Sequence, residues 1–220
     1  MAKKPEDAVL LVGLGRFGSA TAEALARLGH EVLAVDSDPL NVAAWSGRLT
    51  HVVEADATNA EALRQIGAGE FRCAVVAIGS GVEASLLTTL AVLDAGVKEV
   101  WAKAITAEHG RILERIGAHH VIYPEAEMGE RVAHMLSGRM IDFIEFDDGY
   151  AIAKCRAPAE AAGRTLGEAK LRTKYGVTIV GVKSRGSDFV HALPETRVHG
   201  GDLLIVSGRT DLVEEFSATT

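Results

Sequence analysis

Residues Val9 to His30 read VLLVGLGRFGSATAEALARLGH and contain the strongest fold signal in the chain. An apolar run of strand length stops at a glycine, and the loop then follows the spacing G-x-G-x-x-G at Gly13, Gly15 and Gly18. A segment with helical character begins immediately afterwards. A glycine loop between a strand and a helix is typical of proteins that bind nucleotide phosphates.

The same alternation of short apolar runs and helical segments continues to about residue 125. The apolar runs are HEVLAVD, THVVEAD, RCAVVAIG, KEVWAKA and HHVIYP. Strands that are apolar throughout are covered on both faces, as in a parallel sheet with helices on either side. We therefore predict an α/β fold, with a Rossmann-like, doubly wound parallel sheet in residues 1–125.

The pattern changes after residue 125. The segment EAEMGERVAHMLSGRM predicts one amphipathic crossover helix, placed at residues 126–138. Its apolar residues are expected on one face: Met128, Val132, Met135 and Leu136. We expect this face to be buried between protomers, because an exposed apolar patch usually marks an interface.

The last part of the chain predicts a small α+β domain, residues 139–220. Asp148-Gly149 and Arg185-Gly186 each separate two strand-like runs, which indicates two hairpins. The segment GGDLLIVSGRTDLVEEF then predicts a strand followed by a short helix.

The glycine loop has a definite chemistry in this setting. Gly13 permits a tight turn, Gly15 lets the backbone approach a phosphate, and Gly18 lets the helix pack on the sheet. Backbone N–H groups at the start of the helix attract an anion. Asp36 ends the second predicted strand, where an acid hydrogen-bonds ribose hydroxyls.

Three further residues are expected at the same edge of the sheet. Asp56 ends the third strand and either accepts a hydrogen bond from the adenine amine or caps the next helix, for which Asn59 is also a candidate. Gly79 ends the fourth strand and leaves room for a nucleotide. Lys103 ends the fifth strand and either meets an acid or phosphate or extends its amine to solvent.

Composition excludes some classes of function. The net charge of −7 argues against a general nucleic-acid binder, and the 48% hydrophobic content is enough for a substantial core. The first residues lack the pattern of a secretory signal, so we expect a cytoplasmic protein. Cys73 and Cys155 are far apart and are expected to be reduced, buried thiols.

The loop alone also fits a dehydrogenase that uses NAD(H). Such an enzyme needs a proton donor or acceptor beside its substrate, and the eight histidines are scattered along the chain. The sequence favours a binding module that senses a nucleotide and is not an enzyme. The dehydrogenase remains the alternative.

Several segments together resemble one known family. They are VGLGRFG, VDSDP, EADAT, VVAIG, ASLLTTL, VWAKA, RIGAHHVIYPEAEMG and GGDLLIVSG. The combination is similar to the regulatory RCK proteins of bacterial potassium uptake, of the KtrA type within the TrkA group. The resemblance implies an RCK N-terminal domain, a dimer-forming crossover helix and an RCK C-terminal domain.

This resemblance implies a function and its partners. Members form homodimers that assemble into an octameric ring on a membrane-embedded potassium-transporting subunit of the KtrB or TrkH kind, at the inner face of the cell membrane. ATP favours the active form and ADP the inactive form, and NAD(H) binds in many relatives. Some relatives bind cyclic di-AMP at the C-terminal domain, where Arg172 is either a phosphate ligand or simply a solvated arginine.

The resemblance also implies roles for individual residues. Arg16 would contact the terminal phosphate, often of the nucleotide in the neighbouring subunit. Asp36 would bind the ribose, Asp56 the adenine, and Lys103 the region of the phosphates, whereas Glu125 would bind Mg²⁺ or Ca²⁺ together with ATP. The same motifs supply the remaining expected nucleotide contacts: Gly13, Gly15, Phe17, Gly18, Ser37, Ala57, Thr58, Ala77, Ile78 and Gly79.

Overall fold

The computed structural model of the chain describes residues 8–137 and 140–220. The chain divides into two compact units, the first ending at Glu125 and the second running from Ala126 to Thr220. The expected end of the crossover helix, residue 138, lies outside the described residues.

The first unit alternates strands and helices. Its strands are β1 (Val9–Val12), β2 (Val32–Asp36), β3 (His51–Glu54), β4 (Cys73–Val76), β5 (Glu99–Lys103) and β6 (His120–Ile122). Its helices are α1 (Arg16–Arg27), α2 (Pro39–Trp45), α3 (Ala60–Gln65), α4 (Val82–Asp94) and α5 (Ala107–Ile116).

These strands form one parallel sheet in the order β3-β2-β1-β4-β5-β6, which confirms the predicted doubly wound fold. The chain leaves β1 towards β2 and β3 on one side, and towards β4, β5 and β6 on the other. Where the strand order reverses, the loops after β1 and β4 diverge and leave a crevice at the carboxyl edge. The fold therefore places the glycine loop beside that crevice.

Both faces of this sheet are covered. Leu10 and Val12 belong to one buried cluster, whereas Val9 and Leu11 belong to another. Successive residues of a strand point to opposite faces, so the two clusters lie on opposite sides of β1. This explains why the strands lack polar alternation.

Capping residues mark the starts of helices α2 and α3. Asn59 caps α3, accepting hydrogen bonds from the backbone N–H groups of Glu61 and Ala62. Asp38 caps α2 by accepting from Leu40 N, with Pro39 in the first turn. Each cap satisfies backbone donors that have no partner within the helix.

The crossover helix α6 spans Pro124–Ser137 and therefore begins two residues before the predicted start at residue 126. The fixed φ of Pro124 suits a first helical position. Met135, one of the four residues of the predicted apolar face, is half-buried and packs against the core of the second unit. Met128, Val132 and Leu136 are exposed.

The second unit is an antiparallel domain. Its strands are β7 (Asp142–Phe146), β8 (Tyr150–Arg156), β9 (Thr178–Lys183), β10 (Val190–His191) and β11 (Leu203–Arg209), in the sheet order β10-β9-β11-β8-β7. Its further helices are α7 (Leu166–Ala169), α8 (Leu171–Tyr175) and α9 (Thr210–Ala218). Both predicted hairpins are present, as β7 with β8 and β9 with β10.

One face of this second sheet carries the core. Along β8, Ala151, Ala153 and Cys155 are buried, whereas the residues between them are more exposed. This alternation is expected where an antiparallel sheet is covered on one side only. Helix α9 packs here and contributes the fully buried Phe216. Within residues 8–137 and 140–220, every helix is too short or too polar to cross a membrane.

Candidate nucleotide-binding cleft

A cleft of about 580 Å³ lies along the carboxyl edge of the parallel sheet. All six strands, or the loops that follow them, contribute to its walls. The structure brings together here fourteen residues expected at the site: Gly13, Gly15, Arg16, Phe17, Asp36, Ser37, Asp56, Ala57, Thr58, Ala77, Ile78, Gly79, Lys103 and Glu125. A volume of this size is typical of small-molecule sites.

The three loop glycines have different surroundings. Gly13 has φ +97°, a left-handed backbone conformation that favours glycine. A methyl group on Gly18 would lie 1.8 Å from the carbonyl oxygen of Gly13, so Gly18 packs the helix against the loop and does not line the cleft. A methyl group on Gly15 would meet no atom within 4 Å. The backbone at Gly15 is therefore open to a ligand.

Asp36 is the last residue of β2, and its side chain is hydrogen-bonded to the loop that follows β1. Its Oδ2 accepts a hydrogen bond from Leu14 N at 2.5 Å and one from Asn41 Nδ2 at 3.3 Å, and its Oδ1 accepts from Asp38 N at 2.8 Å. These bonds hold the carboxylate at the wall of the cleft. A carboxylate has about four lone-pair sites, so Asp36 retains acceptor capacity for ribose hydroxyls.

Asp56 is exposed at the end of the cleft that follows β3. Its Oδ1 accepts from Thr58 Oγ1 at 2.7 Å and from Thr58 N at 2.9 Å, and these two bonds lower the pKa of the carboxyl. Asn59 caps the next helix, so the capping alternative for Asp56 is wrong. The carboxylate stays ionised and can accept a hydrogen bond from an adenine amine.

Lys103 and Glu125 form an ion pair at the opposite end of the cleft. Lys103 Nζ donates to Glu125 Oε1 at 2.5 Å, and the lysine side chain is 8% exposed against 65% for the glutamate. The bond from Lys103 lowers the pKa of Glu125, and the positive charge of Arg16 adds to the effect. Lys103 therefore meets an acid and does not extend to solvent.

The cleft is lined by more negatively charged than positively charged side chains. Its charged lining residues are two cations, Arg16 and Lys103, and four carboxylates: Asp36, Asp38, Asp56 and Glu125. Lys103 is already paired, whereas Arg16 is exposed. A polyphosphate placed here would meet excess negative charge, which favours binding together with a cation.

Sequence reasoning missed several lining residues, among them Asn41, Ser80 and Thr88. Thr88 is fully buried in α4, and its Oγ1 has no hydrogen-bond partner within the part of the chain that the structure describes. A buried hydroxyl without a partner is costly, and a polar ligand atom in the cleft would relieve that cost. The sequence did contain a signal for Thr88, because residues 84–90, ASLLTTL, carry hydroxyl side chains within an otherwise apolar segment.

Arg172, the candidate phosphate ligand of the second unit, lies on α8 and is exposed. It belongs to the antiparallel domain and is not among the residues that line the cleft.

The chain matches the TrkA-N domain over residues 9–124 and the TrkA-C domain over residues 152–219. It is 35% identical over 207 residues to Ktr system potassium uptake protein A of Bacillus subtilis, covering 94% of this chain and 93% of the relative. The chain belongs to the Ktr potassium uptake protein family. The two matched domains of this Ktr family protein correspond to its two structural units.

Solved structures agree on the fold. A structure described as the GsuK channel bound to NAD superposes over 100% of the Ktr family chain and 40% of its own chain, with a TM-score of 0.69 at 19% identity. A second, described as GsuK bound to ADP, covers 60% of the Ktr family chain and 35% of its own, with a TM-score of 0.53 at 16% identity. At these identities the likeness concerns the fold alone.

Proposed function

We propose that this Ktr family protein is a cytoplasmic, nucleotide-sensing regulatory subunit of a potassium channel or transporter. ATP favours the active state and ADP the inactive state. The observation that carries the proposal is the open backbone at Gly15 beside the exposed cation Arg16, in a cleft of nucleotide size. A loop that accepts a phosphate next to a guanidinium can distinguish nucleotides by their phosphates.

Two carboxylates of the cleft, those of Asp36 and Asp56, would bind the nucleoside part of the ligand. Asp36 is held by three hydrogen bonds at the end of β2, and Asp56 is kept ionised by Thr58 at the end of β3. These strands are neighbours in the sheet, so ribose and adenine would follow from the glycine loop towards β3. The phosphates would then extend towards Arg16 and Lys103.

Glu125 is the candidate cation ligand. Its carboxylate is 65% exposed and keeps acceptor sites besides the bond to Lys103. Carboxylate and phosphate oxygens together suit Mg²⁺ or Ca²⁺. A cation at Glu125 would offset the negative charge of ATP more than that of ADP, because ATP brings one more phosphate. The two nucleotides would therefore differ in how strongly they need the cation.

The assembly forms part of the same proposal. The family name of the relatives, Ktr system potassium uptake protein, supports a membrane-embedded potassium-transporting partner of the KtrB or TrkH kind. Met128, Val132 and Leu136 are exposed on α6 and would be covered in a homodimer, which would then form an octameric ring. Light scattering at micromolar concentration tests this step, and a monomer with and without nucleotide would refute it.

NAD(H) is the competing ligand, since a channel of similar fold is described as bound to NAD. Isothermal titration calorimetry with ATP, ADP and NADH separates the two ligands. We expect ATP and ADP to bind more tightly than NADH, and Mg²⁺ or Ca²⁺ to strengthen ATP most. Tight NADH binding with weak ATP binding would refute the ATP/ADP proposal, and hydride transfer to any substrate would revive the dehydrogenase alternative.

A further inference from the structure

A second group of ionisable side chains lies in the second unit and shares no residue with the lining of the cleft. Glu130 and His134 are four residues apart on α6, a spacing that places them on one face of the helix. Glu145 comes from β7. One potential ligand atom from each of the three residues lies within 4.8 Å of the other two.

Two of the described contacts orient the imidazole of His134. Its Nδ1 lies 2.6 Å from Oε1 of Glu214, a residue of α9 that is eighty positions away in sequence. Its ring stacks on Phe143, with centroids 4.2 Å apart and planes 24° from parallel. A neutral imidazole that donates from Nδ1 carries its lone pair on Nε2. That atom faces Glu145 Oε2 at 4.0 Å.

Glu145 is oriented as well. Its Oε1 accepts a hydrogen bond from Thr210 Oγ1 at 2.7 Å, which leaves Oε2 as the oxygen nearest His134. Glu130 is exposed, so its carboxylate can turn towards the other two ligands. Bound Zn²⁺ holds ligand atoms about 2.0–2.2 Å from the metal, so the three atoms must approach one another by only about 1 Å.

Among residues 8–137 and 140–220, several carboxylates lie around His134. Three carboxylates, those of Glu130, Glu145 and Glu214, surround one imidazole. Arg131, the neighbouring cation on α6, is paired with Asp142 on β7. Carboxylates held close together repel one another, and a divalent cation between them would remove that cost.

We propose that Glu130, His134 and Glu145 form a binding site for a divalent transition-metal ion of the Zn²⁺ class, with Glu214 as a positioning residue. One imidazole and two carboxylates form a ligand set suited to Zn²⁺ and leave a fourth position for water. A carboxylate bonded to the other ring nitrogen of a metal-binding histidine fixes its tautomer and raises its basicity. The site would tie α6 to β7 and α9.

The test uses the full chain, stripped of metal with a chelator and titrated with Zn²⁺ by isothermal titration calorimetry without nucleotide. We expect one Zn²⁺ per chain in this site. His134→Gln should weaken its binding at least a hundredfold and Glu130→Gln at least tenfold. Glu214→Gln should weaken it roughly ten- to a hundredfold, the range measured for residues that support a metal-binding histidine.

Glu215→Gln is the matched control, because Glu215 is the exposed neighbour of Glu214 on the same helix. It should leave Zn²⁺ affinity unchanged. The Co²⁺ form of the wild-type protein should show d–d absorption that His134→Gln removes. Since Glu130 is exposed, its variant tests the site even if the histidine variant folds poorly.

Two outcomes would overturn the proposal. In the first, Zn²⁺ binds equally well to the wild-type protein and to Glu130→Gln and His134→Gln, which would place the metal elsewhere on the chain. In the second, the wild-type protein binds no Zn²⁺, which would make the contacts of His134 with Glu145 and Glu214 purely structural.

Discussion

The two domains of this protein assemble polar groups in different ways. In the parallel sheet every strand runs in the same direction, so the loops after all six strands meet at one edge and form the cleft. In the antiparallel sheet successive strands reverse, so their ends alternate between two edges. Its cluster around His134 instead forms where α6, β7 and α9 come together.

The cleft is therefore easier to predict from sequence than the cluster around His134. Residues of the cleft can be located by counting strand ends, because topology alone brings those ends together. Residues of the antiparallel domain come together only through packing, as His134 and Glu214 do across eighty positions. Four predictions test whether the cleft depends on its loop geometry and charges, and whether the two domains respond separately.

The largest expected effect concerns the glycine loop. Gly18→Ala should lower the free energy of unfolding by about 3 kcal/mol, because its methyl group would overlap the carbonyl oxygen of Gly13 and force the backbone to shift. Thermal and denaturant unfolding measure this loss. If the second domain unfolds independently, its own transition should not move.

Gly15→Ala is the matched control within the same loop. Its methyl group meets no protein atom, so the stability loss should stay below about 1 kcal/mol, the scale of a changed helix cap. Nucleotide binding should nevertheless weaken, because the methyl group occupies the space of a phosphate. Equal stability losses for the two variants would contradict this account of the loop.

Arg16→Ala should weaken ATP binding by about 1–3 kcal/mol, the scale of a hydrogen bond to a charged group, and ADP binding by less. The reason is that Arg16 is an exposed cation beside the open backbone of Gly15. Calorimetry measures both affinities. Equal losses for ATP, ADP and NAD would show that Arg16 does not distinguish terminal phosphates.

Glu125→Gln should remove the gain in ATP affinity that Mg²⁺ or Ca²⁺ provides and leave ADP binding nearly unchanged. It should also cost about 1 kcal/mol of stability at pH 7, less than a fully buried pair would, because Glu125 is exposed although Lys103 is buried. Calorimetry and thermal unfolding measure the two effects. A variant that keeps the full cation effect would leave Glu125 as a residue of the first helical turn only.

The pH dependence of that variant has a definite sign. The folded protein lowers the pKa of Glu125, so the pair contributes fully above the unfolded value of about 4.3 and is lost as pH falls through the lower folded value. The melting temperatures of wild type and Glu125→Gln should therefore converge as the pH falls below the unfolded value and through the lower folded one. A constant difference down to strong acid would exclude an ionised pair.

The smallest expected effect concerns the two cysteines, one in each domain. Burial raises the pKa of the Cys155 thiol to about 11, and the side chain is fully buried, so iodoacetamide at pH 8 should leave it unmodified until the second domain opens. Cys73 is only half-buried and should react first. Mass spectrometry of each peptide measures both rates, and faster labelling of Cys155 would contradict the buried core.

Much of the first domain was predictable because its signals are local. The G-x-G-x-x-G spacing, the apolar runs and Asn59 specify strands, a loop and a helix cap from neighbouring residues. The pairing of Lys103 with Glu125 was not predicted, although Lys103 ends β5 and Glu125 lies in the first turn of α6, just after the adjacent strand β6. Two long side chains can point in many directions from the same edge, and only the packed structure selects one.

The period of the apolar pattern and the glycine loop specify which residues stand at the ends of the parallel strands. Three features could not be predicted in this way: Met135 packs against the core, Asp56 bonds to Thr58, and three glutamates lie around His134. The bond between Asp56 and Thr58 depends on side-chain rotation within a turn, and the other two features depend on contacts between distant segments. Such contacts are settled by the packing of the whole domain and leave no periodic signal in the chain.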